Sequence, residues 1–357
     1  MAIELMELLR SAVEARASDI FIIAGLPLSF KIDGVISPCA LACGSDKITP
    51  AESLEIISAI YSLAKRDVVF LLESGDDDFS LSISGLSRFR VCAYKQRSSL
   101  AAVIRVVQFE IPDYRQLNIP EEVIEVARRQ TKGLVLVTGP AGGGKSTTLA
   151  AMIDEINRTR VGHIITLEDP IEYFHRNIGC VVSQRELKTD TADYVTALRA
   201  SLRQSPDVIL LGEMRDFETI KTAITAAETG HLIISTLHTV GAVNTVDRII
   251  DVFPPAQQQQ VRVQLSMILC SVISQQLIPG AWGGLIPVFE IMHVNGAIRN
   301  LIRESKTHQI DQIIYSSSKE GMISMDNSLL QLYRSGKITR ENAIKFAAAP
   351  ETLEKRI

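Results

Sequence analysis

The run Gly139-Pro-Ala-Gly-Gly-Gly-Lys145-Ser146 satisfies the pattern G-x-x-x-x-G-K-[ST], and its chemistry is phosphate binding. Gly139, Gly142, Gly143 and Gly144, with Pro140 and Ala141 between them, let backbone N–H groups converge on oxygens that bulkier side chains would hold away. The apolar run 134–137 feeds the loop and residues 147–153 continue as a helix, so a helix N-terminus adds about half a positive charge facing the same anion. Lys145 then reaches the β- and γ-phosphates, the Ser146 hydroxyl ligates Mg2+, and Thr147 completes the first turn. These residues predict a nucleoside triphosphate site.

Two further apolar runs end in acids. Residues 164–167 lead into Glu168-Asp169-Pro170-Ile-Glu172, and residues 207–211 lead into Gly212-Glu213. In a parallel sheet the C-terminal strand ends share the edge on which the glycine loop opens, so Glu168 and Glu213 can hold Mg2+, directly or through water, and orient or deprotonate a water. Asp169 and Glu172 read equally well as surface caps. His231 and His238 flank the strand 232–236, which places both in reach of γ-phosphate sensing. Arg185, Arg199 and Arg203 are candidates for arginine fingers. The spacing of four puts Arg199 and Arg203 on one helical face, whose bland alternative is a solvated basic surface.

The elements that must carry these groups follow from periodicity. Beyond residue 120 a helix over 123–129 and apolar runs at 133–137, 164–167, 208–211 and 232–234 alternate with helical segments, the rhythm of a mostly parallel α/β sheet. Gln257–Gln260 fit the exposed first turns of a helix after Pro254-Pro255. Before residue 111 the pattern differs: an amphipathic helix over 3–15, short strands at 20–23, 79–83, 89–91 and 101–104, turns at Gly25, Asp33-Gly34 and Ser74–Asp78, and a helix over 50–64 capped by Thr49. The acidic triplet Asp76–Asp78 reads as a solvated hairpin tip. A proline-marked linker separates the two patterns, giving a small α+β domain over 1–110, a linker over 111–118 and the α/β domain over 119–357.

Composition excludes other classes. At 46% hydrophobic and 22% charged residues the 357-residue chain is neither disordered nor fibrous, and it is too long for one ordinary core. The net charge of −4 leaves no basic field to attract nucleic acid or an anionic membrane. No signal-peptide pattern opens the chain and no run of about 18 apolar residues would insert in a bilayer. Five scattered cysteines fit reduced thiols of a cytoplasmic protein, and the isolated pair Cys39 and Cys43 does not make a zinc site.

In this order the boxes resemble the PilT family of type IV pilus retraction ATPases, within the wider secretion ATPases. The likeness runs from Ala17-Ser-Asp-Ile20 to about residue 345: the glycine loop, the acid box Glu168–Glu172, a Walker B segment like Asp207–Asp216, a histidine box like Thr225–His231 through Thr236–Thr239, and a C-terminal signature like Ala297–Glu304. Ala141 and Gly143 stand where Thr and Ser are usual, and Gln204-Ser205 precede Pro206 where an acid is common. The resemblance implies a PAS-like N-terminal domain and a RecA-like P-loop ATPase core with C-terminal helices. It further implies an ATP-hydrolysing, Mg2+-dependent homohexameric motor for pilus retraction and twitching motility. Glu168 would be the general base, Glu213 the Walker B acid, and the arginines would complete the site within or across subunits. Its partners would be an inner-membrane platform protein and a paralogous retraction ATPase, reached at the cytoplasmic face of the membrane through protein contacts. Residues 297–304, with Ile298, Leu301 and Ile302 beside Arg299, Arg303 and Lys306, would form a contact surface. The alternatives are a pilus assembly or type II secretion ATPase, whose chains are longer and carry paired C-x-x-C motifs, and a nonhydrolysing accessory subunit, against which Lys145, Glu168 and Glu213 speak.

Overall fold

The computed structural model describes residues 5–32, 34–39, 47–83, 85–107 and 111–357. Readings that touch residues 1–4, Asp33 and Cys43 lie outside these. The chain divides into two compact units, residues 1–110 together with 172–174, and residues 111–171 together with 175–357.

In the first unit α1 (Leu5–Glu14) buries Leu8, Leu9 and Ala12. Strands β1 (Asp19–Ile23), β2 (Ser29–Ile32) and β3 (Val35–Pro38) follow. Helix α2 (Pro50–Leu63) starts on a reciprocal cap, with Thr49 accepting from the Glu52 N–H and the Glu52 carboxylate accepting from the Thr49 N–H at 2.7 Å. Helix α3 (Val69–Ser74) ends at a left-handed Gly75, and β4 (Asp76–Ile83), β5 (Ser87–Gln96) and β6 (Ser99–Val107) complete an antiparallel sheet of order β3-β2-β1-β6-β5-β4. Its core gathers Ile57, Tyr61, Phe89 and Ile104, all buried. The acidic triplet is not a hairpin tip. It opens β4, because Asp77 faces inward and accepts from Tyr61 Oη at 2.8 Å and Arg66 Nη2 at 3.1 Å, while Asp78 pairs with Arg90 across the ladder. Tertiary partners there override the local turn signal.

The second unit opens with α4 (Glu121–Arg129), β7 (Gly133–Thr138), α5 (Lys145–Thr159), β8 (Gly162–Glu168) and β9 (Cys180–Glu186). It continues through α6 (Tyr194–Ser201), β10 (Val208–Leu211), α7 (Phe217–Glu228), β11 (Leu232–Leu237), α8 (Ala242–Asp251) and α9 (Pro255–Ile268). A hairpin of β12 (Leu269–Pro279) and β13 (Leu285–His293) precedes α10 (Gly296–Arg303), α11 (Ile310–Ser316), α12 (Met325–Arg334), α13 (Arg340–Lys345) and α14 (Pro350–Glu354). The seven strands run β13-β12-β7-β11-β10-β8-β9, with every neighbouring pair parallel except the β12–β13 hairpin. Both faces are covered, as continuous apolar strands require. Leu134, Ile165, Ile209 and Ile233 pack on one side, and Val135, Ile164, Leu210 and Ile234 on the other. Periodicity did not expose β9 or the hairpin. Met325, Leu329 and Leu353 of the C-terminal helices, with Ile338 between α12 and α13, cluster with Ile278 and Val288 of that hairpin. Helix α10 buries Ile298 and Ile302 and exposes Arg299 and Arg303. Among the described residues no helix is long and apolar enough to cross a membrane.

Candidate active site

The sheet order sets the C-terminal ends of β7, β11, β10 and β8 side by side, and these carry in turn the glycine loop, His238, Glu213 and Glu168. Adjacent strands are about 4.8 Å apart, so four chain-distant groups are brought to one edge. The Lys145 ammonium donates to the carbonyls of Gly139 and Pro140, each at 2.8 Å, and stands 3.4 Å from His238 Nδ1. His238 Nε2 is 3.4 Å from Glu213 Oε2. One neutral tautomer satisfies both contacts: Nδ1 accepts from Lys145 and Nε2–H donates to Glu213. Glu213 also pairs with Arg215 Nε at 2.7 Å. One strand further on, Glu168 Oε1 accepts from Thr166 Oγ1 at 2.6 Å and Gln184 Nε2 at 3.1 Å.

The loop needs its glycines. Gly139 has φ +142°, and a Cβ there would overlap the Gln275 carbonyl oxygen. At Gly144, φ +82°, a Cβ would meet Gln275 Nε2 at 2.8 Å. A Cβ on Gly143 would come within 3.0 Å of the Pro140 oxygen, so the glycine in place of the usual Ser also relieves a crowded contact. Gln275, buried on β12, further accepts from Thr148 Oγ1 of α5 at 2.6 Å. It braces the loop from behind, and nothing local in the sequence marks it. Lys145, Ser146 and Thr147 form the first turn of α5, where the positive end of the helix dipole faces the loop.

Two sequence expectations change. His231 precedes β11 while His238 follows it, and six strand residues span roughly 20 Å. The two histidines therefore mark opposite sheet edges; His231 Nδ1 lies 3.2 Å from the Ala226 carbonyl, away from the loop. Helix α6 ends at Ser201, so Arg203 does not share a helical face with Arg199. Arg203 turns back to donate to the Arg199 carbonyl at 3.1 Å, and Arg199 lies 3.7 Å from Glu218. Arg185 is on β9 beside the acid box; its Nη2 donates to the Asp190 carbonyl at 3.2 Å, and its buried Nη1 has no hydrogen-bond partner. Asp169 lies 3.6 Å from Lys188, an exposed ion pair.

Tyr194, at the start of α6, went unmarked in the sequence. Burial and the nearby charges of Glu213, Asp169 and Glu168 all push its phenol upward, so it stays neutral beside the two candidate acids. His175, at the end of the acid-box loop, is pushed down to about 4 by burial, and its Nδ1 has no hydrogen-bond partner. The unfolded chain, with an ordinary histidine near 6.5, therefore binds a proton that the folded chain refuses between about pH 6.5 and 4. Stability is fully present above that window and is lost as pH falls through it. Urea unfolding should show His175 costing about 2 kcal/mol between pH 7.5 and 5. His175→Leu should flatten that part of the pH dependence; equal slopes in both proteins would refute the assignment.

Residues 1–282 match the type II/IV secretion system protein family. The chain is 44% identical over 352 residues to the type IV pilus retractation ATPase PilT of Pseudomonas aeruginosa, covering 98% of this chain and 99% of that one. It is 39% identical to the type IV pilus ATPase PilU of the same organism, covering 98% and 90%. A crystal structure of the pilus retraction motor PilT with bound ADP superposes with a TM-score of 0.88 at 45% identity, covering 99% of both chains.

Proposed function

Since the chain belongs to the PilT family of type II/IV secretion ATPases, we propose that it is the ATP-driven motor of type IV pilus retraction. One observation carries this reading: the edge that presents the glycine loop, Lys145, His238, Glu213 and Glu168 in adjacent strand ends, in a chain alike over its full length to a retraction ATPase. The glycines and α5 amides seat the phosphates of ATP. Lys145, buried at the loop mouth, sets its charge against the β- and γ-phosphates. Glu168 takes a proton from water as the water oxygen bonds to the γ-phosphorus. The bond from that phosphorus to the bridging oxygen breaks, and ADP leaves with the electron pair. His238, held between Lys145 and Glu213, reads the γ-phosphate and passes its loss to α8 through the loop that follows it. His231 has no such access within one subunit, and Arg185, Arg199 and Arg203 complete the site as arginine fingers, within or across subunits.

The donor set suits Mg2+. Among the described residues no cluster of three His, Cys, Asp or Glu could cage a metal. A hydroxyl and one carboxylate, Ser146 and Glu213, are what an ion shared with substrate phosphates takes from protein. When bound, the ion would neutralise charge developing on the phosphoryl oxygens.

The working assembly is a homohexamer at the cytoplasmic face of the inner membrane, docked on a platform protein and aided by a paralogous ATPase. Complementation of a retraction-defective strain tests the whole reading. The wild-type chain should restore twitching and Lys145→Ala should not; rescue by Lys145→Ala would refute a motor. Arg303→Ala, on the exposed basic stripe of α10, should keep ATP turnover and lose retraction if that stripe is the contact surface.

A further inference from the structure

Edge strand β9 pairs in parallel with β8, setting Gln184 opposite Thr166 and Glu186 opposite Glu168, so all four side chains share one face. Two of the β9 side chains hold the loop that follows Glu168. Buried Glu186 accepts from the Ile171 N–H at 3.1 Å, and Gln184 Oε1 accepts from the His175 N–H at 2.9 Å. The second contact fixes which way the Gln184 amide faces. With its oxygen taken by a backbone N–H, its Nε2 is directed at Glu168 Oε1, 3.1 Å away. A flipped amide would set oxygen against carboxylate and NH2 against N–H, losing both bonds. Thr166 Oγ1 donates to the same oxygen at 2.6 Å, so two donors from adjacent strands define the plane of the carboxylate.

We propose that Gln184 is a positioning residue for ATP hydrolysis: its amide, clamped by the His175 N–H, aims the carboxylate of Glu168 at the attacking water. The inference rests on the reading of Glu168 as the general base. Gln184 sits on β9, four strands along the sheet from β7, which feeds the glycine loop. Its contribution therefore falls on the chemical step and leaves nucleotide affinity alone. A hydrogen bond to a charged group governs roughly a 10- to 100-fold effect when it is expressed in the transition state.

The test is phosphate release by the purified full-length protein in four forms: wild type, Gln184→Met, Glu168→Gln and the double variant. Gln184→Met should lower kcat roughly 10-fold with KM for ATP within about twofold of wild type. In the Glu168→Gln background the same change should have no further effect, because there is no base left to aim. Wild-type kcat in Gln184→Met alongside an inactive Glu168→Gln would overturn the positioning role and leave the base standing. An equal loss in both backgrounds would show that Gln184 acts on something other than Glu168 and would overturn it too. High turnover in Glu168→Gln itself would sink the base reading, whatever Gln184 does. Should Gln184→Met fail to fold, Gln184→Glu keeps the acceptor for the His175 N–H and sets a carboxylate oxygen against Glu168 in place of the amide donor. It should lose at least as much kcat; full activity there would overturn the proposal.

Discussion

Lys145→Ala should lower ATP turnover by roughly 10²- to 10³-fold and weaken nucleotide binding roughly 10- to 100-fold, with the fold intact. Lys145 is the first residue of α5, only 8% exposed, and its ammonium lies 2.8 Å from the carbonyls of both Gly139 and Pro140. Truncation removes the charge that meets the phosphates, but it leaves the backbone amides that seat them, which is why binding weakens less than chemistry.

The same change reaches His238. With Lys145 gone, Nδ1 loses the donor that fixes the tautomer, and the Nε2–H contact to Glu213 is no longer enforced. Lys145→Arg should not restore activity, because a planar guanidinium needs room that a nearly buried ammonium does not have. Thermal unfolding, ADP titration and phosphate release on one preparation separate these effects. Turnover within tenfold of wild type in Lys145→Ala would mean that the glycine loop is not the catalytic phosphate site.

The parts of this site that could be read from the chain are those in which neighbours in sequence are also neighbours in space. The loop, its feeding strand and its helix are one continuous segment, and the Thr49–Glu52 cap of α2 is complete within four residues. Glu168 and Glu213 could be placed because parallel strands end on one edge. The same reasoning places His231 at the sheet edge opposite His238, since a strand carries its two flanks about 3.3 Å per residue apart. Gln275 and Gln184 were hidden for a different reason. Their roles follow from the order β12-β7 and β8-β9 in the sheet, and Gln275 lies 127 residues from its partner Thr148. The hairpin was obscured because α9 passes into β12 between Ile268 and Leu269 with no Gly or Pro to mark the change. Strand β9 was obscured because an edge strand with the sequence Cys-Val-Val-Ser-Gln-Arg-Glu is half polar.

Glu168→Gln and Glu213→Gln should each cost about 10²- to 10³-fold in kcat, but only one should change the response to Mg2+. Glu168 Oε1 accepts from the Thr166 hydroxyl and the Gln184 amide, two donors that aim this oxygen. It stands one strand beyond Glu213, with β10 and β11 separating β8 from the strand that feeds the loop. That separation suits a group that meets water and not the phosphate-bound ion. Glu213 is paired with Arg215 at 2.7 Å and linked through His238 to Lys145, the cation of the glycine loop. Removing its charge should raise the Mg2+ concentration for half-maximal turnover roughly 10-fold, since a shared ion held by one carboxylate loses its main protein ligand. In Glu168→Gln the Mg2+ midpoint and ADP affinity should match wild type while turnover collapses. A Mg2+ shift in Glu168→Gln and none in Glu213→Gln would exchange the two roles. The proton would then pass to the acid nearer the loop, and Gln184 would be aiming a metal ligand.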